Sequence, residues 1–182
     1  MTARFALMAC LLLAGCSRET PLPVLGQVPG FTLTAQTGQA FNGSSLLGRV
    51  WIADFIYTHC PGPCPLMTQR LKHVQQATPA SVRLVSFTVD PARDTPPVLT
   101  AYAARFGAQP DRWTFLTGDP ATLNMLDRDA FKLGSLDATF DHSTRFVLID
   151  QQGRIRAYYS LALENMVDRI GHDAHQLEKE TT

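Results

Sequence analysis

Two cysteines with three residues between them, Cys60-Pro61-Gly62-Pro63-Cys64, stand where the chain changes its period. Ahead of them the apolar run 50–56 shows no alternation with polar residues, so it reads as a strand covered on both faces. Behind them, residues 66–77 place apolar side chains at helical spacing among good helix formers. The thiols therefore leave the carboxyl end of a buried strand, the place where open α/β sheets put their sites. Pro61 and Pro63 stiffen the loop, Gly62 lets it bend, and Pro65 falls in a first helical turn, where a missing amide costs nothing. Unpaired amides at a helix start favour negative charge, so a cysteine there is expected to lose its proton below the reference value of about 8.5. Residues four apart on a first turn share a face, so both sulfurs are expected to point into one small volume. Such a pair can close a disulfide or grip one soft ion.

The compartment follows from the other end of the chain. Arg4 is a short positive region, residues 5–13 form an apolar segment too short to span a bilayer comfortably, and Ala14 and Gly15 lead to Cys16. Leu13-Ala14-Gly15-Cys16 resembles the lipobox of bacterial lipoproteins. That motif implies removal of residues 1–15, a lipid on Cys16, and export to the periplasmic side of a bacterial membrane. Ser17 resembles the signal for the outer membrane, although inner and outer membrane both stay open. Cys10 leaves with the signal and Cys16 is acylated, so Cys60 and Cys64 are the thiols left in an oxidising compartment. A purely structural disulfide would close too small a loop to constrain the unfolded chain much.

Residues 16–28 carry two prolines, Pro21 and Pro23, and no period, and read as a lipid-anchored tether. The domain is expected over 29–178, with a short tail at 179–182. It opens with a small hairpin around Gln36-Thr37-Gly38 and then the central strand. A second buried strand, 82–89, ends at Asp90-Pro91. Asp94 or Thr95 caps a helix that Gly107 stops, Trp113 to Thr117 is a strand, and Asp119-Pro120 starts a helix reaching about Phe131. A hairpin turns at 150–153, and Met166, Ile170, Ala174 and Leu177 form the apolar stripe of a last helix over 162–177. Strands alternating with helices, with a hairpin near each end, predict an α/β thioredoxin-like fold with a mixed central sheet flanked by helices. A net charge of +0 gives nucleic acid nothing to bind.

Two thiolates call for a further donor, and His142 is the candidate, in an irregular stretch just before a strand. Two sulfurs and an imidazole form a soft, low-coordinate set suited to Cu(I) and able to hold Cu(II), whereas structural zinc normally takes four protein ligands. His59 points away from its neighbour Cys60 on an extended segment. Met67 belongs to an apolar helix face, His172 and His175 suit the negative end of the last helix, and His73 is surface.

Three separated motifs now coincide: Tyr57-Thr58-His59-Cys60 through Cys64-Pro65, Val89-Asp90-Pro91-Ala92-Arg93-Asp94-Thr95-Pro96, and Asp141-His142-Ser143. Together they resemble the Sco/SenC family of membrane-anchored thioredoxin-fold copper proteins, from about Phe31 to about Ile170. The resemblance implies copper held by Cys60, Cys64 and His142. It also implies delivery to the dinuclear copper centre of cytochrome c oxidase, or reduction of the cysteines that receive copper there, with that copper-site subunit or another periplasmic copper chaperone as partner. The insert Pro61-Gly62-Pro63 is richer in proline than the acidic-apolar insert of many members, which bears on redox potential. Asp90 has two uses, supporting the site or initiating a turn before Pro91. The competing function is a periplasmic thiol-disulfide oxidoreductase with Cys60 and Cys64 as the redox pair and copper incidental. A peroxidase fits poorly, because the position three before Cys60 is Tyr57 instead of the expected threonine.

Overall fold

In the computed structural model, which describes residues 20–133 and 144–180, the strand ahead of the cysteines lies in the middle of the sheet with every residue buried. The strands are β1 (Gly26–Gln27), β2 (Thr32–Ala35), β3 (Ala40–Asn42) and β4 (Trp51–Ile56). Helix α1 (Cys64–Ala77) crosses to β5 (Arg83–Thr88), and α2 (Pro96–Phe106) crosses to β6 (Trp113–Thr117). Then come α3 (Pro120–Met125), β7 (Arg145–Ile149), β8 (Arg154–Ser160) and α4 (Met166–Lys179).

Among the described residues, eight strands form one sheet in the order β1-β8-β7-β4-β5-β6-β2-β3. β4, β5 and β6 are parallel, and β7 lies antiparallel against β4. The sheet is mixed and flanked by helices, as the alternation of strands and helices predicts: the fold is thioredoxin-like.

Side chains that alternate along β4 feed two cores. Ile52 and Ile56 meet Met67, Leu71 and Val74 of α1 and Ile170 and Leu177 of α4. Trp51, Ala53 and Phe55 face the opposite layer, where Phe55 stacks on Phe87 at 4.9 Å and meets the edge of Phe131 at 5.5 Å. This double cover is why the run reads as continuously apolar.

Local signals acted where they fall. Pro96 starts α2 and Gly107 ends it in the left-handed region (φ 71°), which glycine adopts without a Cβ clash. Asp119 caps α3 by accepting the Thr122 amide at 2.9 Å. The expected helix to Phe131 continues past α3 as a single π-helical turn, Leu126–Ala130. The last helix starts at Met166, four residues later than its pattern suggests, and runs on to Lys179.

One expectation is corrected. Residues 20–28 are docked on the domain and are not free tether. β1 pairs with β8, the Leu25 amide donates to the Ile155 carbonyl at 2.8 Å, and Gln176 donates to the Thr20 carbonyl at 3.1 Å. The guanidinium of Arg156, only 4% exposed, donates to the carbonyls of Leu22 and Pro23. It also pairs with Asp150 at 2.9 Å and Glu180 at 2.8 Å. Proline removes backbone donors, and here the surviving acceptors serve a buried cation that no local pattern announces.

Replacing Arg156 by methionine is expected to lower the unfolding free energy by about 3 kcal/mol, because it takes from buried Asp150 one of its two guanidinium partners, leaving Arg154, and strips the Leu22 and Pro23 carbonyls of their donor. Urea titration reads that loss, and limited proteolysis should show new cleavage at 20–25.

Candidate functional site

The chain leaves β4 at Ile56 and turns through Tyr57-Thr58-His59 before reaching the first thiol. Cys64 is the first residue of α1 and Pro65 the second, the proline position read from sequence. Cys60, by contrast, lies in the loop. The two sulfurs are therefore not stacked on one helical turn: the loop folds back to set Cys60 over the helix start. The Gly62 amide donates to the Cys60 sulfur at 3.4 Å, and the Tyr57 amide donates to the Cys64 sulfur at 3.4 Å. Cys64 is fully buried while Cys60 keeps 8% of its surface, so a reagent or partner reaches Cys60 first.

Their protonation differs in the same sense. Burial works against a thiolate at Cys60, but hydrogen bonds from the Cys64 amide and thiol, the Gly62 amide and the Tyr57 hydroxyl outweigh it, and the thiol is held below its ordinary range. Burial pushes the Cys64 thiol far up; its hydrogen bond to Cys60 and the negative charges of Cys60 and Asp54 add to the rise. The expectation of an acidic thiol at the helix start is thus corrected. The amide there serves the sulfur four residues earlier, so the acidic thiol is the one in the loop. Tyr57 gives a proton to the same interaction, and its own hydroxyl is raised, first by burial and then by Cys60.

Beneath the site, Asp54 of β4 is fully buried. Ser86 donates to its Oδ1 at 2.6 Å, and Trp113 Nε1 donates to Ser86 at 2.9 Å. Among the described residues its Oδ2 has no hydrogen-bond partner. Burial raises this carboxyl to about 7, with Ser86 opposing.

A second buried carboxylate holds the loop. Asp94 accepts the Thr58 hydroxyl at 2.5 Å, the Thr58 amide at 3.1 Å and the Thr88 hydroxyl at 2.6 Å. Since Thr58 spends its proton on Asp94, His59 Nδ1, 3.0 Å from the same oxygen, is the donor in that contact. Thr95 takes the N-cap position of α2 without a side-chain bond, leaving Asp94 for the site. Asp90 starts the turn, its carbonyl accepting the Arg93 and Asp94 amides at 3.1 and 2.9 Å and its carboxylate meeting Arg93 at 3.4 Å. Its charge also acts on the Tyr57 hydroxyl, while the contacts its own atoms make are those of the turn.

His142, with Asp141 and Ser143, lies outside the described residues, as do Cys10 and Cys16. His59, His73, His172 and His175 are exposed, and His172 contacts Asp173 at 3.0 Å. Met67 is core. Among the described residues no group of three His, Cys, Asp or Glu side chains could hold a metal ion, and Cys60 and Cys64 are the thiols present. Sequence reasoning passed over Tyr57, Asp54 and Asp94 as parts of the site. A lone carboxylate inside an apolar strand was the available signal for Asp54.

Fold and site together define a thioredoxin-like dithiol protein with one acidic thiol that keeps a little exposed surface and one fully buried, protonated thiol. The SCO1/SenC family profile matches residues 25–172, and the chain belongs to that family. It is similar to the SCO1/SenC family lipoprotein from Bacillus anthracis str. Ames, with 31% identity over 85% of this chain and 96% of that one and a TM-score of 0.78. It is also similar to BsSco, a member of the Sco family of cytochrome c oxidase assembly proteins in which a disulfide switch was identified (31%, 88% and 98% of the two chains, TM-score 0.77). Bradyrhizobium japonicum ScoI, solved with copper bound, matches at 27% identity over 83% of this chain and 99% of that one, with a TM-score of 0.68.

Two measurements test the electrostatics. At neutral pH iodoacetamide should modify Cys60 well before Cys64, with a rate that stops rising below the pH where an ordinary thiol levels off; mass spectrometry after partial reaction assigns the site. For Asp54 the folded value lies above the unfolded one, so the fold loses stability as pH rises from about 4 to about 7. Asp54→Asn should therefore gain on the parent protein across that window, reaching about 4 kcal/mol at pH 8. Equal pH dependence in denaturant titrations of the two proteins would contradict this.

Proposed function

We propose that the chain is a copper metallochaperone of the periplasmic side of a bacterial membrane, anchored through a lipid on Cys16. In this reading Cys60, Cys64 and His142 hold copper as cargo and pass it to the dinuclear copper centre of cytochrome c oxidase. The observation that carries it is the polarised dithiol. An accessible thiolate at Cys60 is ready to take a soft cation, and Cys64 releases its proton only when an ion is there to replace it. Family membership, a copper-bound relative and a relative in cytochrome c oxidase assembly support this reading, and a lipoprotein relative supports the anchor.

The same asymmetry favours a second reading, a thiol-disulfide oxidoreductase. Here the Cys60 thiolate attacks a partner disulfide, forming a mixed disulfide and releasing one partner thiolate. Cys64 then gives up its proton and attacks the Cys60 sulfur, which leaves the Cys60–Cys64 disulfide and frees the second partner thiolate.

The reduced domain should bind one copper per chain, more tightly as pH rises, because binding expels the Cys64 proton. Cys60→Ser and Cys64→Ser should abolish tight binding and His142→Ala should weaken it, read by competition with a Cu(I) chelator. Undiminished affinity in His142→Ala would remove the three-ligand arrangement. Exchange activity that survives in that variant while copper binding falls would favour the oxidoreductase.

A further inference from the structure

The domain has two poles. The cysteine loop lies beyond the carboxyl end of β4, and α1 runs from it for 14 residues, about 20 Å. Gly171 of α4 packs against Ala77, the last residue of α1, at that far end. Gln176 lies five residues further along α4, and its side chain holds the Thr20 carbonyl. Thr20 therefore sits at the end of the domain opposite the thiols. The strand pairing agrees: β1 joins β8 at Ile155 and Arg154, beside the 150–153 turn and the amino end of β4.

Only residues 17–19 separate Thr20 from Cys16, so an anchor there lies within about 14 Å of Thr20 even with the chain fully extended. A freely moving stretch to residue 28 would reach about three times as far. Because 20–28 are docked, a lipid on Cys16 holds this pole against its bilayer.

The surface at the pole suits that position. Four large aliphatic side chains are exposed among the described residues: Val24 (58%), Leu25 (44%), Leu47 (57%) and Leu66 (46%). Leu66 belongs to the cysteine pole. The other three belong to this one: Val24 and Leu25 lead into β1, and Leu47 reaches within 3.6 Å of where a Cβ on Gly153 would lie, next to Gln27. Exposed Arg49 stands two residues from Leu47, a cation suited to phosphate headgroups.

We propose that this pole is a membrane-resting surface, with Val24, Leu25 and Leu47 in the interfacial layer of the bilayer that carries the Cys16 lipid, and that it points the dithiol away from that membrane. The inference rests on the lipid-anchor reading above. A docking partner must then offer its site well above the headgroups, and Leu66 faces it.

The test uses the full chain, processed and acylated, in vesicles of phosphatidylethanolamine and phosphatidylglycerol. With Cys60 and Cys64 changed to serine, a bimane label is placed on Leu47→Cys or on Leu66→Cys, and quenching by lipids carrying a nitroxide near the headgroup is compared. Quenching several-fold stronger at 47 than at 66 is expected. Equal quenching, or stronger quenching at 66, in an acylated protein overturns this proposal alone. Mass spectrometry showing no lipid on Cys16, with the protein left in the aqueous phase, removes the anchor reading and this orientation with it.

Discussion

The amide that opens α1 is aimed at a sulfur four residues earlier in the chain, and the chemistry of the site follows from that aim. A helix start concentrates unpaired N–H groups, and whichever anion lies in front of them is stabilised. Here the loop Pro61-Gly62-Pro63 brings Cys60 to that place and leaves Cys64 buried behind it. One thiol becomes acidic and reachable, the other protonated and enclosed. Copper capture and disulfide exchange both begin from this division, which is why the same geometry supports either reading.

Three buried polar groups around the sheet are handled in different ways. Asp94 is fully supplied with donors and ties the loop, through Thr58, to the end of β5, through Thr88. Arg156 gathers two carboxylates and two carbonyls and so fastens the amino-terminal segment to the body. Among the described residues Asp54 is under-supplied, with one oxygen bonded and one bare. A buried carboxyl short of donors keeps its proton, and this one is raised accordingly. The cost of keeping it under the cysteine pair is a local loss of stability in a fold whose two aromatic and aliphatic cores are otherwise closed.

Much of the fold was legible because its signals are local. The apolar run of β4, the prolines opening α1 and α2, the glycine ending α2, and the Asp119 cap act within a few residues of where they stand. The cysteine spacing and the motif around Asp90 pointed to the family for the same reason. The division of labour between Cys60 and Cys64 was not legible, since it depends on which sulfur the folded loop sets before the helix amides. Nor was the docking of 20–28, because its proline-rich composition looks like linker until Arg156, more than 130 residues away, supplies donors to its carbonyls.

By itself, then, the sequence determined the order of strands and helices, the family, and the two thiols at the strand-to-helix junction, all of which are written in short-range pattern and spacing. The tertiary structure alone decided which thiol is acidic, which carboxylates brace the loop, and where residues 20–28 dock. Those outcomes come from burial and from hydrogen bonds between residues far apart in the chain, and no local pattern encodes the dielectric or the donors a group will meet once the layers close.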